Sequence, residues 1–230
     1  MLPLSKPVSA SGSLRVLAAL LGYPNAQMRG YLDEMRDILH AEKALSDARR
    51  AELDALIESL ANADALECEA NYVELFDRGR TTSLHLFEHV HGDSRERGPA
   101  MIDLAQTYEK AGLYLAPDEL PDYLPVVLEF VSTQPPREAR AFLGEMAHIF
   151  NALFGALQQR ESAYASVLGA LLELAGETAQ AVKLAAEPPL DESWTEPAVF
   201  DGCSTQGQGK PGQPRPIHII RKQAKTGALA

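Results

Sequence analysis

Cysteine is almost absent from this 230-residue chain, occurring only at Cys68 and Cys203. Two distant thiols make neither a disulfide framework nor a thiolate metal cluster, and they suit a reducing compartment. Long apolar runs are missing as well, and nothing approaches the roughly 18 residues of a membrane span. The opening stretch MLPLSKPVSASGSLRVLAALLGYP lacks a continuous apolar core before its small residues, so it reads as a lead-in to helices rather than an export signal. Strand-like alternation between hairpin turns, solenoid repeats, a Walker-type P-loop and a dinucleotide-binding glycine motif are all lacking. These absences leave a helical protein with no recognisable nucleotide fold.

Charge is plentiful but lopsided. The chain holds 21 basic and 32 acidic side chains. Five of the bases (Lys210, Arg215, Arg221, Lys222 and Lys225) lie in residues 202–230, where there is no acid. The first 201 residues therefore carry 16 bases against 32 acids, a net charge of −16. Such a body repels nucleic-acid phosphates and favours cationic partners at long range.

Apolar periodicity predicts a succession of helices up to about residue 175. Leu14, Leu17, Ala18 and Leu21 form one stripe, stopped by Gly22 and Pro24. Met28, Tyr31, Leu32, Met35, Ile38 and Leu39 form a second face. Ser46 is the expected cap of a third helix carrying Leu53, Leu56, Ile57 and Leu60. A fourth spans about Asp64 to Phe76. Met101, Leu104, Tyr108 and Ala111 make another stripe, ending near Gly112, which starts either at an Asp93/Glu96 capping box or at Gly98-Pro99. Asp118 and Pro121 announce the helix of Tyr123, Val126, Val127 and Phe130. Pro136 is expected at a first helical position, before a long stripe from Phe142 to Leu157, and a final helix carries Tyr164, Val167, Leu168, Leu171 and Leu172. Residues 14–175 are thus expected to form one all-helical domain. Residues 187–230, rich in Pro, Gly and Gln, are expected to form a poorly ordered, flexible tail with local docking at Trp194 or Phe200, in which the isolated IHII at Ile217 to Ile220 has strand character but no obvious local partner.

The densest chemistry lies between Asn71 and Gly98, in NYVELFDRGRTTSLHLFEHVHGDSRERG. His85 and His89 are four apart, a helical stacking distance, and with Glu88 they match the H-x-x-E-H zinc pattern. His91, Asp93 or a distant acid would have to complete such a site. Against that metal reading stand hydrogen-bonded turns and a partner-binding surface. Arg78, Arg80, Arg95 and Arg97 can pair with Asp77, Glu88, Asp93 and Glu96, bind a phosphate, or face a partner. Ser83, Ser94 and Cys68 show no sign of nucleophilic activation. Tyr72, Leu75 and Phe76 read as core, or as the floor of a groove for an amphipathic helix.

From Tyr72 to Gly98 the chain closely resembles the delta-type assembly chaperones of respiratory nitrate reductase, the NarJ family within the TorD-like chaperones. The likeness continues through AMIDLAQTYEKAGL, ELPDYLPVVLEF and LQQRESAYASVL, and includes LLGYP at Leu20 to Pro24. It implies an all-helical, cytoplasmic, non-enzymatic chaperone. Such a chaperone binds the N-terminal segment of the apo alpha subunit and supports insertion of the molybdenum–guanine-dinucleotide cofactor, holding no cofactor of its own. Transient contact with cofactor-delivery proteins is implied too, whereas nucleic acid and membrane insertion are not. The shared motif falls on Tyr72, Glu74, Leu75, Phe76, Asp77, Arg78, Gly79, Arg80, Leu86, Phe87, Glu88, His89, His91, Gly92, Arg95 and Gly98, which become the expected recognition residues. The alternative is a helical metal-binding protein or metalloenzyme using His85, Glu88, His89 and His91.

Overall fold

The computed structural model describes residues 9–92, 94–117 and 119–180. The expectations placed on the tail and on Asp93 and Asp118 lie outside these residues. Among them the chain is all-helical, with a single isolated β-bridge between His85 and Tyr123 and no strand. No helix among them is long and apolar enough to cross a membrane.

Among the described residues eleven α-helices follow one another: α1 (Ser11–Leu20), α2 (Ala26–Arg29), α3 (Leu32–Glu42), α4 (Asp47–Asn62), α5 (Ala65–Tyr72), α6 (Leu86–Val90), α7 (Arg97–Lys110), α8 (Leu124–Ser132), α9 (Pro136–Glu145), α10 (Ala147–Gln159) and α11 (Ala165–Ala175). α11 is the central post. Almost every side chain on it is buried, from Ala165 through Leu172, as expected of a helix apolar on all sides. It packs against α10, α9, α4 and α1, while α1 lies along α8. Gly176, at φ +85°, ends it in the left-handed conformation that glycine adopts without strain.

Several ends are set by polar contacts. The Ser46 hydroxyl accepts the Arg49 amide at 3.3 Å, as expected of a cap. Glu173 of α11 accepts both the Ser46 amide, at 2.6 Å, and its hydroxyl, at 3.0 Å. One cap thus also ties α4 to the central post.

Four readings need correction. The second face is split: α2 ends at Gly30, the chain restarts at Leu32, and Tyr31 between them is exposed. The stripe from Phe142 to Leu157 is not one helix, because Met146 separates α9 from α10. The break lets α9 pack Ala139 and Leu143 while Arg140 donates to the Ala175 carbonyl at the end of α11 (3.2 Å), and frees α10 to run along α11 in its own direction. In α7, which starts at Arg97, only Tyr108 is buried, its hydroxyl donating to the Pro121 carbonyl at 2.8 Å. The next helix starts at Leu124, later than Pro121 suggested, because Tyr123 is held in the isolated bridge to His85, with the Leu86 amide on the Asp122 carbonyl and the Leu124 amide on the Leu84 carbonyl.

Candidate functional site

α5 is capped by Asp64, whose carboxylate accepts the amides of Leu66 and Glu67 at 2.9 and 3.3 Å. Its inward face carries Cys68 and Tyr72. The helix then widens into a π-turn, Val73–Asp77, closed by the Arg78 amide on the Val73 carbonyl at 3.2 Å. Such turns are rare inside helices and recur at functional sites. Tyr72, Leu75 and Phe76 all point into the core. Tyr72 is wedged among Tyr23, Phe76 and Tyr164, with ring centroids 5.6, 4.9 and 6.3 Å away. Its hydroxyl donates to the Leu21 carbonyl at 2.7 Å and lies 3.1 Å from that of Tyr123. Burial holds its phenol pKa well above the ordinary tyrosine value.

After Arg78 the chain turns sharply through a 3-10 turn, Arg80–Thr82. The buried Thr82 hydroxyl donates to the Leu75 carbonyl, which locks the turn beneath the π-turn. Gly79 is required here by space: a Cβ would collide with the Thr82 hydroxyl oxygen and stand 2.9 Å from Arg160 Nη2.

The centre of the segment is a residue outside it. Asp122 is completely buried. One carboxylate oxygen lies 3.3 Å from His85 Nδ1; the other accepts the Phe87 amide at 3.1 Å and lies 3.8 Å from Arg97 Nη2. Its carbonyl accepts the Leu86 amide at 3.0 Å, and the Leu84 carbonyl accepts the Leu124 amide at 2.8 Å. Asp122 therefore fastens the histidine segment, the start of α7 and the approach to α8 at one point.

Helical stacking of His85 and His89 does not occur, because α6 begins only at Leu86 and His85 precedes it in extended backbone. His85 faces Asp122, whereas His89 Nε2 donates to the Ser83 carbonyl at 2.8 Å. His91 sits edge-on to Phe87, with centroids 5.3 Å apart. Among the described residues no three His, Cys, Asp or Glu side chains converge as metal ligands.

The hydrogen bond that His85 donates to the Asp122 carboxylate raises the His85 pKa above its usual value; burial opposes the shift, Glu88 adds to it and Arg97 subtracts. A histidine with a raised folded pKa contributes stability in full below its unfolded pKa of about 6.5, and loses that contribution as pH rises through the folded value. Replacing His85 with Gln should therefore cost more stability at pH 5.5 than at pH 8.5 in urea unfolding. An equal cost at both pH values would uncouple His85 from Asp122.

These elements surround a cleft of about 430 Å³, lined in part by Phe76, Asp77, Arg78, Arg80, His85 and Arg97. Of the expected recognition residues, Tyr72, Leu75 and Leu86 belong to the core, while Phe76 is buried at the cleft wall. Asp77, Arg78, Arg80 and Glu88 are exposed and line it. Glu74 pairs with Arg78 at 3.0 Å on the surface, and Glu88 with Arg97 at 3.5 Å. Phe87, His89 and His91 are half-buried, and Arg95 is exposed. Asp122 and Arg160 were missed by sequence reasoning, and Tyr123 and Tyr164 were read there as members of helix stripes and not as site residues. The only signal for Asp122 was its place after Pro121, within the ELPDYLPVVLEF run.

A solved structure from Archaeoglobus fulgidus, described as a putative redox enzyme maturation protein, shares this fold: it superposes with a TM-score of 0.55, at 18% identity, over 77% of this chain and all of that one. Residues 42–170 match the family model described as nitrate reductase delta subunit. Over 198 residues the chain is 42% identical to the nitrate reductase molybdenum cofactor assembly chaperone NarJ of Escherichia coli K12, covering 86% of this chain and 84% of that protein. NarW of the same organism, described as a probable chaperone of the same kind, is 42% identical over 163 residues, 71% of this chain and 68% of its own length. The chain belongs to the nitrate reductase delta subunit family, and its NarJ and NarW relatives are named as assembly chaperones rather than enzymes.

Proposed function

We propose that this chain is a cytoplasmic chaperone dedicated to a respiratory nitrate reductase. It binds the N-terminal segment of the apo alpha subunit and keeps that subunit open for insertion of the molybdenum–guanine-dinucleotide cofactor, with transient access for the proteins that deliver it. The cofactor is the client's cargo, and the chaperone itself holds none. The observation that carries this reading is the 42% identity to NarJ over 84% of that protein.

The cleft beside the π-turn suits the task. It presents an aromatic wall at Phe76 and a charged rim at Asp77, Arg78 and Arg80, and its far side is braced by Asp122 through His85 and Arg97. Recognition of a peptide needs an apolar surface for anchors and polar groups for register, with no catalytic pair.

A synthetic peptide from the alpha-subunit N-terminus should bind in titration calorimetry with a dissociation constant of micromolar order. Two or three buried anchors contribute about 1.5–3 kcal/mol each before ordering costs. Arg80→Ala should weaken that binding by about 1 kcal/mol if the contact is exposed, or more than about 2 if it is a desolvated bidentate pair, with helicity and Tm unchanged. Lowered stability at unchanged affinity would make Arg80 a scaffold residue. Failure of both the peptide and the full apo subunit to bind would end the proposal.

A further inference from the structure

A hollow of about 410 Å³ lies between α1, α8 and the residues that follow α7, and it shares no lining residue with the cleft. Its wall is apolar and aromatic. The buried rings of Tyr108 and Phe130 stand 4.8 Å apart, Leu113, Leu115 and Val126 are half-buried beside them, and Tyr114 is 82% exposed. The volume falls at the small end of the range for sites that bury one small molecule, about 300–1,000 Å³. It would hold no more than about one turn of a helix 10 Å wide, so a compact ligand fits it better than a docked helix.

The polar groups of the lining are unequally satisfied. Its hydroxyls have spent their protons: Tyr108 donates to the Pro121 carbonyl at 2.8 Å, Ser132 to the Glu129 carbonyl at 2.6 Å and Thr133 to the Phe130 carbonyl at 2.7 Å. Arg15 donates through Nε to the Ser132 hydroxyl oxygen at 3.3 Å. Glu119 accepts the Ala116 amide at 3.3 Å. Among the described residues the Glu129 carboxylate has neither a hydrogen bond nor an ion pair. The surrounding walls desolvate it and Glu119 repels its charge, which raises its pKa even though Arg15 opposes the shift. The group this hollow lacks is therefore a cation.

We infer that the hollow is a binding site for a small apolar cation, a primary ammonium carried on a compact aromatic or branched body. The ammonium meets the Glu129 and Glu119 carboxylates, and the apolar body lies against Tyr108, Phe130 and Val126. The exposed Tyr114 ring adds the attraction of an aromatic face for a cation. An anion would meet two carboxylates, and the body as a whole, net −16 over residues 1–201, draws cations from a distance. The site does not depend on the identity of the client.

The test titrates the full chain, labelled with nitrogen-15, with tryptamine at pH 7.5 and follows the amide resonances. Two probes of nearly the same shape serve as controls, neutral tryptophol and anionic indole-3-propionate. Tryptamine should bind saturably with a dissociation constant of roughly 0.1–1 mM, as its small size allows, and shift amides around Tyr114, Val126 and Phe130. Both controls should bind at least fivefold more weakly. Glu129→Gln, at an exposed position, should lose at least fivefold at unchanged Tm. Glu145→Gln, the same charge change at an exposed site on α9, should stay within twofold of wild type. Shifts scattered over the acidic surface, equal affinity for tryptophol, or equal losses in Glu129→Gln and Glu145→Gln would overturn the inference. So would equally tight binding of acetyl-lysine amide at these residues, since the hollow would then receive a lysine side chain of a protein.

Discussion

Asp122→Ala should unfold this protein more easily by about 3 kcal/mol, one of the two largest single-residue effects expected at the site. The carboxylate is fully buried and serves the His85 ring, the Phe87 amide and the Arg97 guanidinium together. Removing one partner from a buried charge cluster typically costs about 3–5 kcal/mol, because the remaining groups stay desolvated and unpaired. The lower end applies because the His85 and Arg97 side chains are about a third exposed and recover some water. Asp122→Asn keeps an acceptor for the Phe87 amide and should lose only about 1–2 kcal/mol. For a chain of this size the alanine variant should melt roughly 6–12 °C lower. Guanidinium unfolding of both variants decides the matter. An alanine variant within about 0.5 kcal/mol of wild type would show that the three segments are held elsewhere. The alanine variant should also weaken client-peptide binding, because Arg97 and His85 lose their common anchor at the cleft.

Tyr72→Ala should rank beside it, at about 3–5 kcal/mol, the usual cost of deleting a large buried ring and leaving a cavity. The ring is 4% exposed and touches three other aromatic rings. Tyr72→Phe isolates the hydroxyl. It leaves the Leu21 carbonyl without that donor, and should cost about 1–2 kcal/mol. A phenylalanine variant as damaged as the alanine one would mean that the hydrogen bond to the end of α1, and not the packing, makes this position critical. The pair also tests whether Tyr72 is core or groove floor. A core residue changes stability first, whereas a floor residue changes peptide affinity at constant stability.

Much of the scaffold was legible before any coordinates. The cap at Ser46, the proline start at Pro136 and the stop near Gly112 are local features, and each appears where the residues put it. The family likeness covering Tyr72 to Gly98 pointed to the segment that forms the cleft. What was not legible is everything that depends on residues distant in sequence. Asp122 lies 37 residues from His85, and no periodic pattern links them. The break at Met146 was invisible for a similar reason: both halves of the stripe are apolar at helical spacing, and only their different packing on α11 separates them. His85 and His89 had helical spacing without one helix to hold both, since the bridge to Tyr123 keeps His85 in extended backbone and α6 begins only at Leu86, where the Asp122 carbonyl and carboxylate accept its first amides.

By itself the sequence determined that this is an acidic, cysteine-poor, all-helical chain of a particular chaperone family, because helix periodicity, caps and motif identity are properties of neighbouring residues. Only the tertiary structure decided which residues of the motif are core and which face the cleft. Through the π-turn and the 3-10 turn that follows, side-chain direction no longer obeys a fixed period. It is set by the groups packed behind it: the Leu21 carbonyl, Thr82 and the buried carboxylate of Asp122.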